Sequence, residues 1–357
     1  MAKRLRVAVL FGGQSAEHDV SILSASNVVK ALDASRYEVV PIAITRSGQW
    51  LEVDLNGGPL PDRVPDDGTQ LCLLPGGKGR LFAIPQTGHP HEIPAIDILF
   101  PVLHGLHGED GSIQGLAEAA GVPFAGCGIL GSATAIDKDI AKRLLRDAGL
   151  PVARSVTVRR GETPSFDEIV AQLGKPVFVK PARQGSSVGV SKARTADEFH
   201  AALVEGFRYD QRVLVEEFIQ GREIEFSVLE QPGGELIVSL PGEIAPAQAH
   251  GFYTYEAKYL DADGAALSVP ADLPEEATQR LQAMSAQAFH ALGCDGMARI
   301  DFFVRADLSA VVNEINTIPG FTDISMYAKA LAASGIAYPE ILDRLIAHGL
   351  ARAQAQG

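Results

Sequence analysis

The sequence predicts a fold that is α/β in its first third and α+β thereafter, divided into two or three domains. Three observations carry this. The chain has 357 residues, too many for one compact core. Its first hundred residues place short apolar runs on either side of a helical repeat. Its remainder sets strand-like segments next to helical ones, with tight turns between them.

Taken in order, residues 5–11 form an apolar run that ends at Gly12-Gly13, a buried strand entering a glycine turn. A helix follows from about Asp19, with Val20, Leu23, Val28 and Leu32 on one side. Residues 37–44 and 96–103 are further strands, and this strand–helix–strand rhythm predicts a Rossmann-like parallel sheet. The Gly- and Pro-rich stretch 54–94 lacks a helical period and is expected to form hairpins and loops inserted in that first domain. A helix over 138–148 stops at Gly149 and Pro151. Strands near 155–158, 176–181 and 212–218, with helices near 165–173 and 195–205, make a second, smaller α+β domain. The rest is expected to hold strands at 223–230 and 235–240, a long loop over 244–262 and a helix over 275–292. Strands at 297–305 and 310–315 and C-terminal helices complete it.

Hydrophobic residues make up 46% and charged residues 21%, a globular balance. The net charge of −13 argues against a nucleic-acid surface but leaves room for a local basic pocket. Cys72, Cys127 and Cys294 are scattered without metal-ligand spacing and are expected to be buried free thiols in a reducing compartment. The apolar run after Lys3, Arg4 and Arg6 is too short for a secretory segment, and no stretch is long enough to cross a bilayer. A cytoplasmic protein with no membrane partner is expected.

The most informative segment runs from Met297 to Asn316 and reads as two strands joined at Ala306-Asp-Leu-Ser309. With Arg305 opposite Ala310, Asp301 falls opposite Glu314 and Arg299 opposite Asn316. Alternation then puts Arg299, Asp301, Glu314 and Asn316 on one face and Ile300, Phe302 and Ile315 on the other. Oxygen donors of this kind suit Mg²⁺, completed by water and phosphate oxygens. A solvated polar face is the plainer alternative. Against it stands Asn316-Thr-Ile-Pro-Gly-Phe-Thr322, a glycine turn that brings backbone N–H groups close by.

Phe178-Val-Lys-Pro-Ala-Arg-Gln-Gly-Ser-Ser-Val-Gly189 is a strand followed by a small-residue loop, whose amides and Lys180 suit an anion. The lysine precedes the glycines, so this is not a Walker A loop; a surface hairpin is the alternative. Lys138 opens a helix, where a cation opposes the helix dipole unless it serves a ligand. Val213-Leu-Val-Glu-Glu-Phe-Ile219 and Gly221-Arg-Glu-Ile-Glu225 form a strand and turn between two domains, placed for an adenine edge and ribose hydroxyls.

Taken together these residues resemble the ATP-grasp superfamily, and within it the D-alanine–D-alanine ligases. The resemblance runs nearly end to end. It rests on Phe11-Gly-Gly-Gln-Ser-Ala-Glu-His-Asp-Val-Ser21, Val102-Leu-His-Gly105 with Gly108-Glu-Asp-Gly111, and Asp137-Lys138. It continues through Val179-Lys-Pro181 with Gly185-Ser-Ser-Val-Gly189, Tyr253-Thr-Tyr-Glu-Ala-Lys-Tyr259, Arg299-Ile-Asp301 and Asn313-Glu-Ile-Asn-Thr-Ile-Pro-Gly-Phe-Thr322. It implies three domains, over 1–137, 138–217 and 218–357.

The resemblance also implies roles. Lys138, Lys180 and Lys258 would hold ATP, with Ser186 and Ser187 in a lid over its phosphates. Glu216, Glu217 and Ile219 would contact adenine and Glu223 the ribose. Family members often carry lysine where Glu217 stands, a departure at that contact. Asp301, Glu314 and Asn316 would hold two Mg²⁺ ions, replaceable by Mn²⁺, and K⁺ is a further expected ion. Glu17 would bind the ammonium of the first D-alanine near His104. Arg299 and the Gly320 backbone N–H would stabilise the tetrahedral intermediate, and Ser325 would receive the second carboxylate. Ser186, Glu17 and Tyr259 would close a mobile loop. A homodimer and small-molecule substrates, D-alanine and ATP, are implied.

The competing readings are a ligase for D-lactate or D-serine, a nucleotide-binding protein that has lost ligation, and a nicotinamide-binding protein. Ligases that make D-alanyl-D-lactate typically lack the pair kept here as Lys258-Tyr259. The second reading predicts loss of some of Lys180, Arg299, Asp301 and Glu314, all of which are present. The third needs a glycine spacing that Gly12-Gly13 lacks. His104 and His107 as metal ligands, and Glu17 as a plain helix-start acid, are the alternatives at single residues.

Overall fold

The computed structural model describes residues 3–246 and 265–356, arranged around three sheets. In the first, β1 (Leu5–Gly12) lies between β2 (Tyr37–Ile44) and β7 (Ile98–Pro101), parallel to both. This is the parallel layer expected from the sequence. Because β1 is covered on both faces, its apolar run is unbroken. Val7, Val9 and Phe11 face α1 (His18–Ala31), and Ala8 and Leu10 face α2 (Ser112–Ala120).

The Gly- and Pro-rich stretch does more than loop. Strands β3 (Trp50–Glu52), β4 (Gln70–Leu73), β5 (Leu81–Ile84) and β6 (His91–Ile93) extend the sheet antiparallel, in the order β6-β5-β4-β3-β2-β1-β7. Helices α2 and α3 (Ile129–Ile136) lie in a stretch for which the sequence analysis assigned no elements.

The second sheet is antiparallel, ordered β10-β9-β11-β8, with β8 Ser155–Arg159, β9 Val177–Pro181, β10 Ser191–Ala193 and β11 Arg212–Glu217. Helices α5 (Phe166–Leu173) and α6 (Ala196–Gly206) share its core through Ile169, Leu173, Phe199 and Leu203. Both start on side-chain caps. Ser165 and Glu168 form a reciprocal capping box, and Thr195 accepts from the Glu198 amide.

The third sheet runs β15-β14-β12-β16-β17, with β13 also paired to β12. Its strands are β12 Arg222–Glu230, β13 Leu236–Val238, β14 Gly242–Pro246, β15 Ala265–Ser268, β16 Met297–Val304 and β17 Ala310–Asn316. The loop expected over 244–262 is therefore corrected at its start. Residues 242–246 are a strand because their backbone groups find partners in β12 and β15. The remainder of that loop, with Lys258 and Tyr259, lies outside the described residues.

Two helical segments pack away from their sequence neighbours. Helices α3 and α4 (Lys138–Asp147) follow the first sheet but bury Ala135, Ala141 and Leu145 with Ile224, Phe226 and Ile300 of the third. Helix α7 (Glu275–Ala291) covers the same core, and α8 (Met326–Ala333) leads into α9 (Tyr338–Gln356). Helix α9 returns to the first sheet, where Ile341, Leu342, Leu345 and Ile346 join Val7 and Val9. Of the three free cysteines, Cys127 and Cys294 are buried as expected, and Cys72 is exposed instead.

The β16–β17 hairpin differs from the expected register in one detail. Near the turn Val304, not Arg305, pairs with Ala310, and Phe302 pairs with Val312. A β-bulge at Asn313 then shifts the register by one, so Asp301 does face Glu314 and Arg299 does face Asn316. The extra residue also explains why Val312 and Ile315, three positions apart, both reach the same core.

Candidate active site between the second and third sheets

A cleft of about 540 Å³ opens between the second and third sheets. Its apolar wall includes Ala153, Phe178, Ile219 and Phe303, and Lys138, Lys180, Glu216, Glu223, Asp301 and Glu314 supply charge. This mixture suits a flat ring joined to an anionic tail.

The basic end is built from two elements. Lys180 on β9 and Glu216 on β11 share a sheet face, and the Lys180 Nζ lies 2.7 Å from Glu216 Oε2. From α4, the Lys142 Nζ reaches Glu216 Oε1 at 3.0 Å. Burial pushes the Glu216 carboxyl up, but the two ammonium groups outweigh it and hold its pKa below the ordinary value. Lys138 opens α4, whose N-cap Asp137 accepts from the Ile140 amide. Its Nζ donates to the Gln184 carbonyl at 2.7 Å and lies 3.6 Å from Glu314 Oε2. Lys138 thus spans the glycine loop and the acidic face. Within that loop Ser186 and Ser187 both take positive φ, of 50° and 58°. Consecutive left-handed residues are strained for side chains with a Cβ, by roughly 1–2 kcal/mol each, and such strain gathers where a loop must meet a ligand.

The acidic face is arranged as the alternation predicts. Arg299 donates through Nε to Asp301 Oδ1 and through Nη2 to Asp301 Oδ2, both at 2.7 Å. Its Nε also lies 3.0 Å from Glu225 Oε2. The Asn316 amide donates to Asp301 Oδ2 at 3.0 Å. Burial works against the Arg299 charge, but Asp301 and Glu225 raise its pKa well above the ordinary value, so it is a permanent cation here. Among the described residues no three His, Cys, Asp or Glu gather to hold a metal by themselves. Two carboxylates and an amide leave coordination positions for phosphate oxygens and water. That donor set fits Mg²⁺ bound together with a nucleotide.

At the other end Glu17 is the N-cap residue of α1, yet its side chain makes no cap bond. The Ser186 hydroxyl donates to Glu17 Oε1 instead, joining the glycine loop to the first sheet. The loops pass close on both sides of this carboxylate, since a Cβ at Gly105 or Gly185 would stand 3.3 or 2.9 Å from Glu17 Oε2 and displace it.

His104 is buried and doubly bonded. Its Nδ1 contacts the Ile318 carbonyl at 2.9 Å and its Nε2 the Ser24 hydroxyl at 3.1 Å. Burial lowers its pKa, so the ring is neutral, Nδ1–H donating to Ile318 and Nε2 accepting from Ser24. It therefore positions the 317–321 turn. Gly320 is held close, since a Cβ there would meet Ser325 Oγ at 2.7 Å. Ser325 Oγ in turn accepts from the Thr322 amide at 2.9 Å. The Glu217 carboxylate is taken by Arg154, at 2.8 Å from its amide and 2.7 Å from its Nε. Each oxygen of that carboxylate is thus already engaged once by Arg154.

The structure adds three residues to which the sequence analysis gave no role. Glu225 is the second partner of Arg299, and Lys142 the second partner of Glu216. Glu109 accepts from the Gly105 amide at 2.7 Å and from the Ile318 amide at 2.9 Å. Burial, and the nearby Glu17 carboxylate, push it up to about 8. Glu109 stood inside a quoted motif, but nothing local announced its long-range partner. Lys142 sits one turn beyond Lys138, and its full burial was the signal, invisible before folding.

A nucleotide-sized cleft clasped between an antiparallel lid sheet and a carboxylate-bearing sheet defines the ATP-grasp class. Models of the D-ala D-ala ligase N-terminus and C-terminus match residues 6–127 and 144–347. The chain belongs to the D-alanine–D-alanine ligase family. It is 59% identical over 349 residues, 98% of each chain, to D-alanine–D-alanine ligase A of Brucella suis. It is 60% identical over 361 aligned positions, 100% of each, to that of Mesorhizobium japonicum. The solved D-alanine–D-alanine ligase of Coxiella burnetii superposes with a TM-score of 0.84 at 36% identity, covering 99% of this chain and 96% of that one. A Bacillus anthracis D-alanine–D-alanine ligase complexed with ATP superposes with a TM-score of 0.74 at 28% identity, covering 99% and 100%.

Proposed function

We propose that this protein is an ADP-forming ligase that joins two D-alanines to D-alanyl-D-alanine, the dipeptide of peptidoglycan precursors. The observation that carries this is one cleft bringing Lys138 and Lys180 to the face that holds Arg299, Asp301 and Glu314.

ATP lies with its base between Phe178, Ile219 and Phe303 and its ribose toward Glu223. Lys138, Lys180 and the amides of Gly185 to Ser187 take the phosphates. Asp301, Glu314 and Asn316 would hold Mg²⁺, two ions in this reading, which would supply positive charge against the phosphoryl oxygens. Glu17 fixes the ammonium of the first D-alanine so that its carboxylate attacks the γ-phosphorus, giving D-alanyl phosphate and ADP. The amine of the second D-alanine, its carboxylate at Ser325, then attacks the acyl carbon. Arg299 and the Gly320 N–H meet the developing oxyanion, at about 3 kcal/mol per donor, and phosphate leaves. The lid carrying Ser186 and Ser187, with Lys258 and Tyr259, keeps water from the acylphosphate.

The protein is read as a cytoplasmic homodimer of three-domain subunits, bounded at 1–137, 138–217 and 218–357. No described helix is long and apolar enough to cross a membrane. The test is phosphate release from ATP with D-alanine, L-alanine, D-serine and D-lactate in turn. D-alanine alone should sustain turnover and yield the dipeptide. A D-lactate ester as the main product, or no phosphate release with D-alanine, would sink the reading.

A further inference from the structure

Lys142 is among the largest fully buried side chains, at 2% exposure, and it does not line the cleft. A buried ammonium is tolerated only where a counter-charge meets it. Here that counter-charge is Glu216, whose two oxygens are divided between Lys142 at 3.0 Å and Lys180 at 2.7 Å. Lys180 and one edge of Glu216 line the cleft, and Lys142 lies behind them. The carboxylate is itself buried, at 5% exposure. Lys180 thus cannot turn toward a phosphate without withdrawing from a largely buried carboxylate.

We propose that Lys142 is a positioning residue for the nucleotide, holding Glu216 while Lys180 exchanges that carboxylate for the phosphates. The inference rests on the assignment of Lys180 to the phosphates. With Lys142 present, Glu216 keeps a cation on either side of the exchange, and the trio carries a net positive charge toward the ligand. Without it, Lys180 is the sole partner of Glu216 and each phosphate contact strands a buried anion. Burial lowers the Lys142 pKa, and the Glu216 carboxylate opposes that shift without cancelling it. The other charges nearby are Lys180 and Arg146, both of which disfavour the Lys142 charge and leave Glu216 as its support.

The test is the ratio of adenosine to ADP dissociation constants, measured by calorimetry on the full chain with magnesium. The ratio isolates the phosphate contribution and cancels changes at the base. Lys142→Met should lower it about tenfold, which is about 1.4 kcal/mol. Lys142→Met/Glu216→Gln, which has no buried anion to strand, should restore it to the value of Glu216→Gln alone. An unchanged ratio in Lys142→Met overturns the inference. So does a double variant that stays tenfold below Glu216→Gln, because Lys142 would then act without Glu216. That second comparison stands even where Lys142→Met does not fold. A wild-type chain that fails to bind ADP would instead defeat the assignment of the cleft to ATP.

Discussion

Arg299 shows how single residues carry this site. It is buried, charged, and gripped by Asp301 through two parallel bonds and by Glu225 through a third contact. A lysine could supply the charge but not the planar fork. Arg299→Lys should therefore lower kcat at least a hundredfold while the KM for ATP moves little, read from steady-state phosphate release. Asp301 and Glu314 have no such substitute. Asp301→Ala and Glu314→Ala should each abolish turnover while circular dichroism stays native, and near-normal rates in either would remove the metal assignment. The alternation of one strand was enough to group these side chains. Glu225, the third member, was missed because its strand is not a sequence neighbour of β16.

Among the elements, the β16–β17 hairpin is the most informative. Counting back from the turn put Asp301 opposite Glu314, yet the pairing nearest the turn is offset by one residue. The bulge at Asn313 absorbs that offset and returns Glu314 to Asp301. Alternation cannot foresee a bulge, because an extra unpaired residue is chosen by the packing of the partner strand. The apolar face behind the site is equally constrained. Phe302, 1% exposed, packs edge-on against Phe226 with centroids 5.9 Å apart. Phe302→Ala should destabilise the chain by about 3–5 kcal/mol, measured by urea denaturation. Helix α4 owes its start to Asp137, which caps Ile140 and also pairs with Arg212. Asp137→Ala should lower stability by about 1 kcal/mol or more and weaken ATP binding through Lys138.

In the whole molecule, the turn after β17 is held by α1 and by the loop that follows β7. Ile318 gives its carbonyl to His104 and its amide to Glu109, the Phe321 amide donates to Ser24, and Asn27 bonds Asp323. Glu109 makes this clamp sensitive to pH. Its pKa rises from 4.5 to about 8 on folding. Between those values the folded chain keeps a proton that the unfolded chain releases, so stability falls as pH rises through this window. Below 4.5 both states hold the proton, and above about 8 neither does. Glu109→Gln should flatten this part of the profile in denaturation series from pH 5 to 8. An identical slope in the variant would count against the clamp as its source.

Periodicity and composition determined most of the elements, several to within a residue. They determined the two faces of the late hairpin as well, because strand alternation and helical repeat are local properties of the chain. The order of motifs made the family legible. Only the tertiary structure decided that α3 and α4 leave the first sheet for the third, that α9 returns to the first, and that Lys142 and Glu216 meet. Those outcomes depend on which apolar faces remain uncovered once every sheet has formed, and on which buried charge finds a partner. No window of the sequence contains both halves of either choice.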